Sequence, residues 1–296
     1  MTTSTPTAPT AKGWRAVNLD VLQRIDELPS LSSVVAEFLE LSRQDFFTAQ
    51  DFEQVLRKDQ ALVARLLKVA NSAFYGRPRR IHSIPEAVVL VGLEQMKRIV
   101  FAVSAEGLTR SRLRNYHFER NRGFWMHSTA VGLAARAIAD ASPGKPLHGE
   151  EAFVAGLLHD VGKLIIDDFL DREPGPRDVS LAEEAEAVGL DHAELAEYIL
   201  GQWRLPDSIV AAVRDHHRDV GDPDVASGAP LLQLAGAMVA TWRIGRVDDI
   251  DLSTDFDAEP HRGLLTHLGF NDQRLAQAVW DVRQHLAGIE SLYFSA

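Results

Sequence analysis

Six residues of types that bind metal ions follow one another through the second half of the chain. They are His127, His159, Asp160, His192, His216 and His217. Imidazole nitrogen and carboxylate oxygen suit iron, manganese, zinc or nickel, and a site made of these groups needs no thiolate. The 296-residue chain contains no cysteine, which excludes disulfides, thiolate zinc sites and cysteine nucleophiles. The chemistry that these residues indicate is therefore that of a nitrogen- and oxygen-ligated metal centre.

Each of these histidines also fits a structural role. His127 lies in an apolar context, which suits a core histidine satisfied by a hydrogen bond. For His159 with Asp160, a structural hydrogen bond could retain the geometry without a metal. His192 follows Asp191, a helix N-cap candidate, so it fits the first turn of a helix. His216 and His217 close a predicted helix, where a protonated imidazole favours the negative end of the helix dipole. The residue types alone leave the metal-binding and the structural interpretations open.

The segments that carry these residues have helical periodicity, with apolar side chains three and four positions apart. The sequence predicts an all-α multi-helix bundle and no strand. Predicted helices cover residues 31–41, 52–56, 62–70, 84–92, 94–108, 124–141, 151–169, 181–188, 193–203, 207–216, 230–242 and 273–288. Thr48 with Asp51, and Ser83 with Glu86, are start signals of the capping-box kind. Bundles commonly build metal sites from side chains of several helices, so this architecture suits the ligand candidates.

The chain is predicted to divide near residue 115, where the Arg-rich stretch 110–122 interrupts the hydrophobic pattern. This gives a disordered tail over 1–18, a helical subdomain over 19–115, and a second one over 116–296 with C-terminal helices. The longest apolar runs, 87–93 and 99–103, are far shorter than the roughly 20 residues of a membrane span. We therefore expect no membrane insertion and a cytoplasmic location.

The charge is distributed unevenly along the chain. The net charge is −11, which opposes non-specific binding to nucleic acid, and the sequence shows no helix-turn-helix signature, so DNA is not an expected partner. Between residues 50 and 125, however, 14 Lys and Arg stand against 7 Asp and Glu. Arg77, Arg79, Arg80, Lys97 and Arg98 are candidates to meet an anionic ligand or an acidic partner. The alternative is that they are solvated helix faces and a loop.

Two sets of motifs resemble known families. The runs Trp-Met-His-Ser at 125–128 and Ala-Gly-Leu-Leu-His-Asp-Val-Gly-Lys at 155–163, with the later histidines, resemble the HD superfamily of metal-dependent phosphohydrolases. In the first half, residues 28–31, 66–76, 81–84 and 87–92 resemble the HDOD branch, the HD-related output domain. Together the two likenesses cover about residues 19–243. They imply a helical bundle, a role in bacterial signalling, usually no demonstrated hydrolase activity, and Lys163 as a candidate phosphate contact.

The chain departs from the catalytic pattern of that superfamily at two places. The resemblance implies a later metal-binding Asp in an Ala-Asp context, but the matching stretch 234–237 carries Gly236. After His217 the chain reads Arg-Asp-Val-Gly-Asp, without the Gly-Tyr-Pro signature of the cyclic-dinucleotide phosphodiesterases. A hydrolase needs its ion to lower the pKa of a bound water, so a missing carboxylate weakens both charge balance and geometry.

These observations predict a regulatory module that binds a signalling protein partner or a nucleotide-like ligand without catalysis. The competing hypothesis is a metal-dependent phosphohydrolase of nucleotides, which uses the six ligand candidates around one or two ions. A third interpretation is a homodimeric scaffold. Metal content separates the second hypothesis most cheaply from the others, because that mechanism has no nucleophile without its ion.

Overall fold

The computed structural model of the protein describes residues 19–28, 37–39, 41, 48–56, 58–71, 81–109, 113–119, 122–171, 175, 177–246 and 250–293. The predicted all-α class is confirmed: across this part of the chain the regular structure is helical, and one isolated bridge pairs Tyr116 with Arg177. None of the described helices is long and apolar enough to cross a membrane. The predicted tail over 1–18, most of the predicted helix 31–41, and Arg77, Arg79 and Arg80 lie outside the described residues.

The first half contributes five helices to the described structure. They are α1 (Leu19–Glu27), α2 (Ala49–Leu56), α3 (Gln60–Ala70), α4 (Ile84–Val91) and α5 (Leu93–Thr109). Both predicted start signals are confirmed, since Asp51 N–H donates to Thr48 Oγ1 (3.3 Å) and Glu86 N–H donates to Ser83 Oγ (3.3 Å). Helix α4 ends at Val91 and is capped by Gly92, whose φ of 94° favours glycine. Local capping chemistry therefore sets where these helices begin and end.

The second half contributes nine further helices to the described structure. They are α6 (Gly123–Ala141), α7 (Gly149–Leu158), α8 (Lys163–Ile166), α9 (Leu181–Val188), α10 (His192–Gln202), α11 (Asp207–Arg214), α12 (Ala229–Thr241), α13 (Arg262–His267) and α14 (Asp272–Tyr293). Helix α6 is central and packs on α7, α12 and α14, so most of its surface is buried. Helices α6 and α7 come into backbone contact because both carry glycine there: a Cβ on Gly156 would lie 2.8 Å from Gly132 N.

The two halves share one apolar core. Three phenylalanine rings extend this core from the first half into the second. The ring centroid of Phe101 lies 5.2 Å from that of Phe38 and 6.1 Å from that of Phe153. All three side chains are buried. The segment 113–119 connects α5 to the second half, and the predicted subdomain boundary near residue 115 stays a prediction.

The prediction of one helix over 151–169 is wrong at the centre. The helix ends at Leu158, turns occupy 159–162, and α8 begins at Lys163. The turns are held by short-range bonds, in which Val161 N–H donates to Leu158 O (3.0 Å) and Lys163 N–H donates to Asp160 O (2.9 Å). The predicted helix 207–216 likewise ends early, at Arg214. Four of the six ligand candidates consequently lie just beyond a helix end instead of on a helix face.

Asp215 holds the turn that follows α11. Its fully buried carboxylate accepts two hydrogen bonds from Arg214 (2.7 Å each), one from Arg218 Nη1 (3.2 Å) and one from Ala226 N–H (2.9 Å). Burial opposes its ionisation, but the hydrogen bonds from Arg214 and Ala226 outweigh it and keep the Asp215 pKa below the ordinary value. This carboxylate therefore shapes the chain from which His216 projects.

Replacing Asp215 by asparagine is expected to lower the free energy of unfolding by about 2 kcal/mol, the low end for a broken buried pair because the arginines are partly exposed. The pKa of Asp215 is lower in the folded than in the unfolded protein. The stability that Asp215 contributes is therefore complete above the ordinary carboxyl pKa, and it is lost as the pH falls through the lowered pKa of the folded state. Urea unfolding from neutral pH towards about pH 3 measures this. Asp219→Asn, at an exposed position nearby, is the control, and a variant as stable as this control would contradict the prediction.

Candidate metal centre

The six ligand candidates of the second half converge on one cluster. The carboxylate of Asp160 is its middle: Oδ2 lies 3.6 Å from His127 Nε2 and 3.3 Å from His159 Nε2, and Oδ1 lies 3.1 Å from His192 Nε2. The cluster continues from His192 Nε2 to His217 Nε2 at 3.0 Å and to His216 Nε2 at 3.4 Å. Helix α6, the turn 159–162, the start of α10 and the turn after α11 each supply part of it.

Backbone carbonyl groups orient two of the histidine rings, those of His159 and His216. His159 Nδ1 lies 2.8 Å from Gly156 O, and His216 Nδ1 lies 2.6 Å from Val213 O. A carbonyl oxygen can only accept, so each Nδ1 carries the proton and donates it outward. The neutral ring then presents an Nε2 lone pair to the centre, which is how metal-binding histidines are usually held.

The inward-facing groups are nearly all acceptors, and that is the arrangement a cation satisfies. Asp160 Oδ1 is buried, and His192 Nε2 lies 3.1 Å from it. The possible ligand atoms form two sets of three, and within each set the atoms lie within 4.8 Å of one another. One set comes from His127, His159 and Asp160, and the other comes from His192, His216 and His217. The donor set therefore fits first-row divalent ions, one or two in number.

Burial keeps most of these imidazoles neutral. Desolvation, helped by neighbouring histidines, lowers the pKa of His127 to about 3, that of His217 to about 4, and that of His216 well below its ordinary value. For His192 desolvation is outweighed by the adjacent carboxylates, which raise its pKa. The Asp160 pKa is held well below its ordinary range, despite burial, by the cationic groups around it. At neutral pH the cluster thus offers neutral imidazoles at His127, His216 and His217 and an ionised carboxylate at Asp160, the forms that bind metals.

Lys163 belongs to this site and is not a solvated surface lysine. Its Nζ lies 2.7 Å from Asp160 Oδ2, and its side chain is only 16% exposed. The ammonium group also lies 5.6 Å from the centroid of the Tyr116 ring. A cation is therefore already placed beside the ligand carboxylate.

The cluster opens into a cavity of about 160 Å³. His127, Asp160 and Lys163 line its inner end, and Arg177 and Arg246 line it as well. Apolar side chains complete the wall, namely Phe118, Val179, Ala240 and Ile244. Arg246 Nη2 lies 3.2 Å from His117 Nδ1 and 2.6 Å from the exposed carboxylate of Asp178. Three basic side chains, each paired with a carboxylate, and several apolar side chains thus line the cavity beside the candidate ligand cluster.

Gly236 lies on α12, one turn before Ala240, which lines the cavity. A Cβ built on Gly236 would meet no atom within 4 Å, so this face of the helix has room for a larger side chain. On α5, Lys97 is buried and Arg98 is half-buried, with Arg98 Nη1 3.2 Å from Gln95 Oε1. Their suggested role towards a ligand or partner stays a prediction.

The sequence interpretation missed several site residues, among them Tyr116, Arg177, Glu184 and Arg246. Glu184 stands in an acidic first turn next to Glu183, where a solvated carboxylate is the ordinary expectation. Glu183, three residues after the Ser180 cap, is the capping-box residue, and only the place of Glu184 on the inner face of α9 distinguishes it from this neighbour. Tyr116 and Arg246 lie outside helices, where periodicity gives no orientation.

Comparison with known proteins agrees with this architecture. The sequence model of the HDOD domain matches residues 28–219. An uncharacterized protein from Treponema pallidum (strain Nichols) is 27% identical over 209 residues, which cover 67% of this chain and 39% of that protein. The chain therefore spans about two fifths of the length of this relative.

Solved structures share the fold. An HDOD domain protein with unknown function from Geobacter sulfurreducens is 24% identical, with 93% of this chain and 96% of that one covered and a TM-score of 0.67. A candidate phosphohydrolase from Shewanella amazonensis SB2B is also 24% identical, with 94% and 98% covered and a TM-score of 0.64. With a family match over well more than half of its residues, the chain belongs to the HDOD domain family.

Proposed function

We propose that this protein is a regulatory module that holds a divalent first-row metal ion and binds a phosphate-bearing, nucleotide-like ligand or a signalling partner beside it, without turnover. The observation that carries the proposal is the convergence of five imidazoles and the Asp160 carboxylate in one cluster, three of them in contact with that carboxylate, beside a cavity lined by Lys163, Arg177 and Arg246. His127, His159, Asp160, His192, His216 and His217 would hold iron, manganese, zinc or nickel. When bound, the ion supplies positive charge to which a ligand oxygen can coordinate.

The cavity suits an anion with an apolar part. Lys163, Arg177 and Arg246 line the cavity, where each is paired with a carboxylate, and arginine is well matched to the phosphate that would replace such a partner. Arg246 is paired with Asp178, whose side chain is 80% exposed, and such a pair contributes only about 0–1 kcal/mol. A phosphate can therefore replace Asp178 at little cost, while Phe118 and Ile244 offer an apolar surface to the rest of the ligand.

Gly236 favours binding over catalysis. A glycine has no ligand atom at a position where the HD superfamily likeness implies a carboxylate. The alternative, a metal-dependent phosphohydrolase, is supported by the six ligand candidates that do meet. The two functions differ in whether an activated water is produced, so turnover separates them.

Metal analysis with an activity assay tests the proposal. Protein purified without chelator is expected to contain at least about one iron, manganese, zinc or nickel ion per chain, and His159→Ala to contain none. His267→Ala changes an exposed histidine on α13 and is the matched control. No hydrolysis of bis(p-nitrophenyl) phosphate is expected with any of these metals added. Absence of metal in the native protein and after metal addition overturns the site, whereas hydrolysis that His159→Ala abolishes establishes the phosphohydrolase instead.

Replacing Gly236 by aspartate is expected to leave the fold intact, because a Cβ there meets no atom within 4 Å. A carboxylate on the cavity side of α12 should increase the metal-to-protein ratio, since it adds an anionic ligand to a cluster that has one. Gly236→Asn has the same size without the charge and is the control. Equal metal content in the two variants, measured by elemental analysis, would show that this position does not face the metal-ligand cluster.

A further inference from the structure

Glu184 is a buried carboxylate that belongs to the cluster without being one of its ligand candidates. It has no exposed surface, and its Oε2 accepts hydrogen bonds from both Nδ1 (2.6 Å) and the backbone N–H (2.8 Å) of His192. Within the described part of the chain its ion-pair partner is His192, and no lysine or arginine contacts it. Burying a carboxylate without such a partner is costly, so the arrangement points to the site more than to stability.

Tyr116 extends the contact to the segment 113–119, which connects the two halves of the chain. Its hydroxyl donates to Glu184 Oε1 at 2.9 Å, and its side chain is buried. The segment is held at its start as well, where the backbone N–H groups of Arg114 (2.8 Å) and Asn115 (2.9 Å) donate to the carboxylate of Asp167. Its anchors thus lie at the end of α8, the helix that follows Asp160, and on α9, the helix that precedes His192.

We propose that Glu184 and Tyr116 are positioning residues that link segment 113–119 to the metal centre, so that metal occupancy and the order of this segment are coupled. The inference rests on the metal site proposed above and adds a route by which its occupancy reaches the first half of the chain. The connected atoms run from the inward-facing His192 Nε2, through Nδ1–H and the Glu184 carboxylate, to the Tyr116 hydroxyl.

The direction of the effect follows from hydrogen bonding to a metal ligand. Binding of a cation at His192 Nε2 withdraws electron density from the ring and strengthens the bond that Nδ1–H donates to Glu184. Glu184 in turn fixes the orientation in which the His192 ring points Nε2 into the cluster, and the Tyr116 hydroxyl fixes the position of Glu184. Because coupling between two equilibria is reciprocal, a segment that favours the metal-bound site is itself ordered by the metal.

The same segment also reaches the cavity. His117 lies 3.2 Å from Arg246, and the Phe118 ring lies 5.3 Å from the His127 ring. Both side chains line the cavity beside the cluster. A change in the order of segment 113–119 therefore alters the cavity entrance together with the connection to α5.

Titration with Co²⁺ tests the coupling, because its visible absorption reports ligand number and type. Glu184→Gln and Tyr116→Phe keep the size of each side chain and are expected to weaken Co²⁺ binding about 10-fold or more. Glu186→Gln, an exposed glutamate on the same helix, is the matched control and should bind as the native protein does. The absorption band of Glu184→Gln should also shift, since the His192 ring loses its orienting acceptor, and a merely structural loss would not move it.

Hydrogen exchange measures the reciprocal effect. Co²⁺ is expected to slow amide exchange across 113–119 in the native protein and in Glu186→Gln, and to slow it less in Tyr116→Phe. If the native protein binds no Co²⁺, the proposed metal site itself is wrong. If the native protein and both variants bind Co²⁺ equally tightly and Co²⁺ protects 113–119 equally in all three, the metal site is supported but the proposed coupling is wrong. If Glu184→Gln does not fold, Tyr116→Phe decides, because it removes only a hydroxyl.

Discussion

Asp160→Asn is expected to abolish stoichiometric metal binding while the protein stays folded. Asp160 is the carboxylate of the metal-ligand cluster and contacts three of its imidazoles and Lys163. An amide of the same size removes the negative charge and turns one inward acceptor into a donor aimed at Nε2 lone pairs. Loss of a ligand exceeds the effect of its supporting groups, so affinity should fall by more than about 100-fold.

The measurement is metal content by elemental analysis, followed by Co²⁺ titration, with circular dichroism to check the helices. Asp168→Asn is the matched control, because that carboxylate is half-exposed, lies eight positions along the same segment, and pairs with Arg24 at the surface. Asp160→Asn with the metal content of the native protein would show that the cluster does not bind the ion through this carboxylate.

Gly162→Ala is expected to cause the largest loss of stability among these variants. A Cβ on Gly162 would lie 2.2 Å from the backbone oxygen of His192 and 2.9 Å from its Cα. Backbone atoms cannot rotate away as a side chain can, so either the turn 159–162 or the start of α10 must shift. We expect the free energy of unfolding to fall by about 3 kcal/mol, and metal affinity to fall with it because His192 is displaced.

Gly201→Ala, on the same helix as His192, is expected to raise the free energy of unfolding instead of lowering it. A Cβ on Gly201 would meet no atom within 4 Å, and alanine favours the helical backbone by up to about 1 kcal/mol over glycine. Urea unfolding of both variants measures the two effects. Gly162→Ala as stable as the native protein would mean that the close approach between the turn and α10 is not required.

Local interactions made much of the fold predictable. The pairs Thr48 with Asp51 and Ser83 with Glu86 are three residues apart, and both cap helices as predicted. The helix predicted over 151–169 is interrupted at 159–162, where Gly162 also makes a close approach to the backbone of His192, thirty positions away. Periodicity could not reveal this break, since the apolar pattern continues through it into α8.

The residues of the candidate site likewise fall into those that the sequence predicted and those that it did not. The residue types and the HD-like run 155–163 were enough to name all six ligand candidates, because ligand chemistry belongs to the side chain. The positions of Glu184 and Arg246 were not foreseeable, since acidic and basic side chains are ordinarily solvated. Lys163 likewise reads as a surface lysine in sequence, yet its ammonium contacts Asp160 in the folded chain.

The amino-acid sequence by itself determined the helical class, the two helix starts at Thr48 and Ser83, and the identities of the candidate metal ligands, because each depends on side-chain chemistry or on residues within one helical turn. The tertiary structure alone decided that these groups meet, with Tyr116 joined to Glu184 across 68 positions and His192 to His216 across 24. Contacts over such separations form only when helices pack, and the packing of α6 on its neighbours depends on burial of apolar surface that no single segment specifies.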